Sequence, residues 1–147
     1  MFENRLPVDS FTGFLIWGAL AGLWIVGNLF MRWASGWQSL SRFACDPAEF
    51  PSGEVRKVLM RRSSWVSCSR PCRVRLDTSS EILWIRPQFG FGFFHRPLRI
   101  PLVAFSPCWP IAGTPGFVVA ESCGTSGVTF YFTEELTRQL LDWSEHR

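Results

Sequence analysis

The residues best suited to chemistry in this chain are five cysteines, of which only two lie close together. Three residues separate Cys68 from Cys72, whereas the two cysteines of a redox motif are separated by two. Cys45, Cys108 and Cys123 are scattered singly, so a tetrahedral zinc site would need ligands from distant segments. We therefore expect no metal and no cofactor, and we interpret the thiols as small buried side chains in a reducing compartment. Outside the cytoplasm, one or two disulfides would be expected instead.

Histidine is the most common general base, and the chain has two. His146 is next to the last residue, so a Ser-His-Asp or Cys-His arrangement would depend on His95 alone. The sequence contains neither a GxxxxGK[ST] phosphate loop nor an HExxH metal motif. We therefore predict no catalytic residue and a protein that is not an enzyme. A thiol- or metal-dependent enzyme is the alternative.

Basic residues are concentrated in one part of the chain. From Arg56 to Arg99 there are ten Lys and Arg residues against two acidic ones, a net charge of +8, although the whole chain carries only +3. Near an anionic membrane each such cation contributes about 1 kcal/mol of attraction. We expect contact with lipid headgroups or a partner protein through four basic residues: Arg56, Lys57, Arg61 and Arg62. The alternative is a solvated sheet face, and without a recognition-helix or RNP-like pattern nucleic acid is not an expected partner.

Phenylalanines and glycines alternate from Phe89 to Phe94. A tip of this composition could insert into lipid or hold an apolar partner, with Phe91 and Phe93 as the contacting residues. Alternatively the neighbouring strands extend into the segment, and one set of rings enters the core.

The elements that position these residues fit in about one domain, because the chain has 147 residues. A hydrophobic fraction of 47% excludes intrinsic disorder. Residues 10–31 contain no charged side chain, and as a helix they would reach about 33 Å, enough to cross the hydrocarbon core of a bilayer. We predict one transmembrane helix over 10–31.

A cleaved signal peptide is the main competing interpretation of residues 10–31. Glu3 and Asp9 accompany Arg5 before the apolar run, and the run exceeds the 7 to about 15 residues of a signal core, so we expect no cleavage. More Lys and Arg residues follow the helix than precede it. The positive-inside rule then places residues 1–9 outside as a short tail and the carboxy-terminal part in the cytoplasm.

Small and aromatic residues give the helical segments two further predictions. Gly18 and Gly22 form a GxxxG pair that would let two such helices approach closely, so a homodimer is one interpretation. After the span, Trp33, Trp37 and Leu40 recur at helical spacing, which predicts an amphipathic helix over 32–45. Its two tryptophans fit the headgroup layer, and packing against the following domain is the alternative.

Residues 46–147 have the period-two patterns and turn residues of short strands. The candidate strands are 56–60, 65–68, 73–77, 82–85, 98–105, 117–120 and 128–132. Thr133 as N-cap and Glu134 in the first turn then predict an amphipathic helix over 133–145. The fold class is α+β: one N-terminal transmembrane helix and a mainly-β barrel or sandwich of about seven antiparallel strands, closed by the C-terminal helix. This order of elements matches a pleckstrin-homology (PH)-like domain, which is a fold analogy without a function.

Two segments carry a family resemblance. Gly36 to Phe43 resembles the GWxxLAxx[YF] motif that follows the membrane helix of small uncharacterised bacterial proteins, through Gly36, Trp37 and Leu40. The segment from His95 to Pro101 is similar to their HPPLxIP[W] motif, with Pro97 as its second proline. Ser41, Arg96 and Leu102 depart from these patterns. The resemblance implies a single-pass protein of the bacterial inner membrane, without an activity. We expect a non-catalytic binding or adaptor module, and a structural anchor that dimerises through its helix is the alternative.

Overall fold

A single long apolar helix, α1 (Ser10–Ala34), begins the part of the chain that the computed structural model describes, which comprises residues 10–62, 67–88, 94–111, 114–120 and 127–146. Its 25 residues reach about 37 Å. Only 6% of its apolar window is buried, so α1 is not the core helix of a globular domain. α1 is long and apolar enough to span a membrane, and it extends three residues beyond the predicted 10–31.

Gly36 ends the helical path after α1. Its φ of +74° lies in the left-handed region, and its amide donates to the Trp33 carbonyl at 3.1 Å. The chain then continues as a short 3-10 helix, Gln38–Phe43, which ends before Pro47. The predicted continuous helix over 32–45 is therefore wrong, because the glycine reverses the backbone and turns the following residues into the domain.

We expect Gly36→Ala to lower the free energy of unfolding by about 1 to 3 kcal/mol, measured by thermal unfolding in detergent micelles. A Cβ at this position would lie 2.5 Å from Cγ2 of Val128, and the positive φ would be strained in addition. Gly27→Ala is the matched control, because a Cβ there meets no atom within 4 Å and helix propensity favours alanine. Equal unfolding temperatures for the two variants would contradict the role given to Gly36.

Seven strands form one curled antiparallel sheet in the described residues, in the order β4-β3-β2-β1-β7-β6-β5. They are β1 (Glu54–Arg61), β2 (Ser67–Asp77), β3 (Ile82–Pro87), β4 (Leu98–Pro101), β5 (Phe105–Ile111), β6 (Thr114–Ala120) and β7 (Gly127–Tyr131). The predicted number and the α+β class are confirmed. Two boundaries are not: residues 67–68 of the strand predicted over 65–68 and the strand predicted over 73–77 belong to one strand, β2, while residues 65–66 lie outside the described residues. The strand predicted over 98–105 is divided after Pro101 by a 3-10 turn, Leu102–Ala104.

The concave face of the sheet carries the core, and a second helix covers it. α2 (Glu134–Glu145) confirms the helix predicted over 133–145 and buries Leu136 and Leu140. Phe130 is fully buried and stacks on Phe132 at 5.7 Å between ring centroids. Leu40 from the 3-10 helix after α1 enters the same core. The segment that follows α1 is therefore part of the domain and not a linker to it.

Candidate functional site

The two segments singled out by the family resemblance lie side by side. The Trp37 indole Nε1 donates to the Arg96 carbonyl at 3.1 Å. The Cys45 amide donates to the Pro97 carbonyl at 2.9 Å, and a β-bridge joins Ala44 to Leu98. The chain after α1 thus runs along the free edge of β4, and the two motifs form one structural unit.

Arg70 connects this unit to α1. Its guanidinium is 3% exposed, and Nη2 donates to the Met31 carbonyl in the last turns of α1 at 2.9 Å. Nη1 lies 2.9 Å from Nε2 of the buried His95. Because arginine can only donate, Nε2 must accept, so the His95 proton is on Nδ1. His95 was the one histidine available to a catalytic arrangement, and here it accepts a structural hydrogen bond.

A second arginine reaches the end of α1. Arg62 Nη1 donates to the Trp33 carbonyl at 3.5 Å, and its guanidinium lies 5.9 Å from the centre of the Trp33 ring. Positive charge at the carboxyl end of a helix is favourable, because the helix dipole is negative there. Arg62 and Arg70 together fix the end of α1 to β1 and β2.

The two tryptophans predicted for a membrane interface lie in different surroundings. Trp33 is 56% exposed on α1, which suits the prediction without testing it. Trp37 is 3% exposed and packs edge-on against His95 at 5.5 Å between ring centroids. The placement of Trp37 in the headgroup layer is therefore corrected. The positive φ of Gly36 turns the indole into the domain, where its N–H finds a carbonyl.

Phe94, the last residue of the segment in which phenylalanines and glycines alternate, contacts α1. The Phe94 ring lies 5.7 Å from the Trp24 ring, ten residues before the end of α1. Asn28, one turn beyond Trp24, is only 3% exposed, so other parts of the chain cover this side of α1. Phe91 and Phe93 lie outside the described residues, and their predicted contact with lipid or a partner stays a prediction.

A groove of about 1310 Å³ lies between the segment 42–49, β2 at Arg73, the end of β3, and the residues around β4. We call it the basic groove, because five arginines line it: Arg42, Arg73, Arg86, Arg96 and Arg99. Two carboxylates, those of Asp46 and Glu49, stand on its rim. The groove therefore carries a formal charge of +3, which favours an anionic occupant.

Arginines in the basic groove are held close to one another by strand register. Arg73 and Arg86 are directly paired across β2 and β3, and like charges in this arrangement are destabilising. Arg86 lies 6.0 Å from the Phe50 ring, and Arg99 lies 5.4 Å from the Trp84 ring. Within the described ranges, no carboxylate forms an ion pair with Arg73, Arg86, Arg96 or Arg99.

The four basic residues predicted as contacts do not form one patch. Arg56 lies at the start of β1 and binds Glu54 at 2.6 Å and Glu135 at 3.0 Å. Arg62 follows the end of β1, beside Trp33. Six residues of strand separate the two by about 20 Å. Lys57 and Arg61 lie between them on β1. The sequence analysis missed the basic groove, whose arginines come from the neighbouring strands.

The cysteines of the described segments are unsuited to nucleophilic chemistry. Burial raises the pKa of the Cys72 thiol to about 12, although nearby Arg70 opposes the shift. Burial also raises the pKa of Cys45, reinforced by the Glu49 carboxylate, and that of Cys108. Cys45, Cys68, Cys72 and Cys108 are free thiols, and no group of three metal-ligating side chains occurs in the segments described. Cys123 lies outside those segments.

The glycine pair of α1 stands open to its surroundings. A Cβ added at Gly18 or Gly22 would meet no atom within 4 Å. Dimerisation through this pair stays a prediction.

Comparison with known proteins returned no match: neither a family model, nor a curated protein, nor a solved structure is similar to this chain.

Proposed function

We propose that this chain is a single-pass protein of the bacterial inner membrane, whose domain is a non-catalytic binding module held at the membrane surface. One observation carries the proposal: α1 exposes apolar side chains over most of its length, and the segment directly after it packs Trp37 and Leu40 in the domain core. Exposed apolar surface of this extent is favourable only against lipid or other apolar surfaces. Arg62 and Arg70 then hold the domain beside the end of the span.

We further propose that the domain is PH-like. Seven antiparallel strands followed by one helix on the core face support this assignment. The two segments that carry the family resemblance meet at Trp37 and Arg96, so the resemblance concerns one structural unit. Neither point assigns an activity.

The orientation with the domain in the cytoplasm follows from basic residues near the span. Arg32 in the last turn of α1, Arg42 and the arginines of β1 all follow the uncharged run 10–31, whereas Arg5 precedes it. An acidic partner would be drawn to the basic groove, and the module would act by holding it at the membrane.

Carbonate extraction tests the membrane proposal. We expect the full chain to stay in the membrane pellet, and a Leu20→Arg/Leu23→Arg variant to move to the supernatant, because each arginine in the centre of a span costs about 3 kcal/mol on the insertion scale. A Leu136→Met variant, which changes the core and not α1, is the control for expression. Release of the wild-type chain by carbonate, or a mature protein that begins after residue 31, would overturn the proposal.

A further inference from the structure

We infer that the basic groove binds the phosphate of an anionic phospholipid headgroup, taken from the leaflet in which α1 ends. The inference rests on the proposed membrane span and names the ligand of the domain. Its support comes from the depth of the groove relative to the span and from the charge of the groove.

The first step is the depth of the chain beside α1. Trp24 lies seven residues before Met31, where the uncharged run ends, and is thus about 10 Å inside the span. The Phe94 ring contacts Trp24 at 5.7 Å between centroids. In the membrane, Phe94 therefore lies beside α1 on the hydrocarbon side of the boundary.

The second step follows the chain out of the membrane. Arg96 comes two residues after Phe94, and its carbonyl accepts from the Trp37 indole, three residues beyond the end of α1. His95, between them, is tied through Arg70 to the Met31 carbonyl by two contacts of 2.9 Å. Arg96, which is exposed and lines the basic groove, thus leaves the hydrocarbon at the headgroup layer, which is about 5 to 8 Å deep in each leaflet.

The third step is the chemistry of the groove. Guanidinium groups bind phosphate through paired N–H donors, and they keep their charge at every physiological pH. Arg73 and Arg86 repel each other across their strands, so a bound phosphate would relieve a repulsion built into the register. Arg99 approaches the same space from β4. With the carboxylates of Asp46 and Glu49 on the segment 42–49, the groove keeps a formal charge of +3, which favours an anion.

A lipid fits this groove better than a protein partner because of where the groove begins. A groove that starts at the headgroup layer meets lipid phosphate at a very high local concentration, whereas an acidic protein must displace that lipid first. The segment at Phe94 adds apolar contact beside α1, where the acyl chains of the same lipid would lie.

The test uses the full chain in a neutral maltoside detergent, with bound lipid counted by native mass spectrometry. Dihexanoyl phosphatidylglycerol is titrated against dihexanoyl phosphatidylcholine, inorganic phosphate and a hexaglutamate peptide. We expect one phosphatidylglycerol to bind more tightly than the other three. In Arg86→Gln/Arg99→Gln its affinity should fall about 25-fold, since each arginine near the phosphate contributes about a factor of five.

Arg75→Gln/Arg138→Gln is the matched control, because it removes two exposed charges outside the groove. It should keep the wild-type affinity within about twofold. Circular dichroism checks that each variant is folded, and Arg73→Gln replaces the double variant if that one is not. Equal losses in the groove and control variants would overturn the inference, as would tighter binding of phosphate or hexaglutamate. If the full chain stays in the membrane pellet after carbonate extraction but binds no lipid, the lipid site is refuted and the proposed membrane span is not.

Discussion

Replacing Trp37 by alanine is expected to lower the free energy of unfolding by about 3 to 5 kcal/mol, although the residue stands only three positions after the long apolar helix. The indole is 3% exposed within the core cluster, and its removal leaves a cavity that the sheet cannot fill. The Arg96 carbonyl also loses its donor. Chemical unfolding in micelles, followed by near-ultraviolet circular dichroism, measures the change.

Trp33→Ala is the matched control, because it removes the same side chain from a 56% exposed position on α1. Its effect on unfolding of the domain should stay below about 1 kcal/mol. The opposite ranking of the two variants would show that Trp37 lies in the detergent layer, as the amphipathic pattern alone predicted.

Replacing Arg70 by methionine is expected to cost about 2 to 4 kcal/mol of unfolding free energy and to loosen α1 from the sheet. Methionine keeps the apolar contacts of the side chain but leaves the Met31 carbonyl and His95 Nε2 without this donor. Spin labels on α1 and α2 should give a single narrow distance distribution in the wild-type chain. In the variant we expect a broadened one.

The control for this variant is Arg138→Met on the exposed face of α2, where the guanidinium pairs with Glu134 at 3.4 Å. An exposed pair of this kind contributes less than about 1 kcal/mol. An unchanged distance distribution in Arg70→Met would mean that Arg62 and the core alone hold α1 in place.

Hydrophobic periodicity predicted the helices and strands of this fold well, because the burial of side chains determines that periodicity directly. An uncharged run of helical length and an amphipathic pattern correspond to α1 and α2. The seven candidate segments fall on β1 to β4, β6 and β7, whereas β5 beyond Phe105 was not predicted. The two errors in strand boundaries have local causes. A fully paired β2 continues through Pro71, and a 3-10 turn after Pro101 divides what looked like one edge strand.

Contacts between residues that are distant in the sequence were harder to predict than the helices and strands. The stripe through Trp37 was found, but periodicity does not reveal whether a stripe faces lipid or protein, and the positive φ of Gly36 decides this. The basic groove depends on register, which the sequence contains only indirectly. The turn pairs Asp77 with Ile82, so counting back along both strands from that pair would have brought Arg73 opposite Arg86. Arg96 and Arg42 reach the groove only through the contact between the two motifs, which one sequence does not reveal.

The chain passes from α1 through Ser35 and Gly36 directly into the core. The tilt of the helix in the membrane therefore determines the orientation of the domain relative to the membrane. α1 is about 37 Å long, whereas a hydrocarbon layer measures about 30 Å, and a long helix accommodates such a difference by leaning. In the proposed setting, a thinner bilayer would rotate the whole sheet toward or away from the lipid surface. The local bilayer thickness would thereby set the angle between the arginine-lined face of the sheet and the lipid surface.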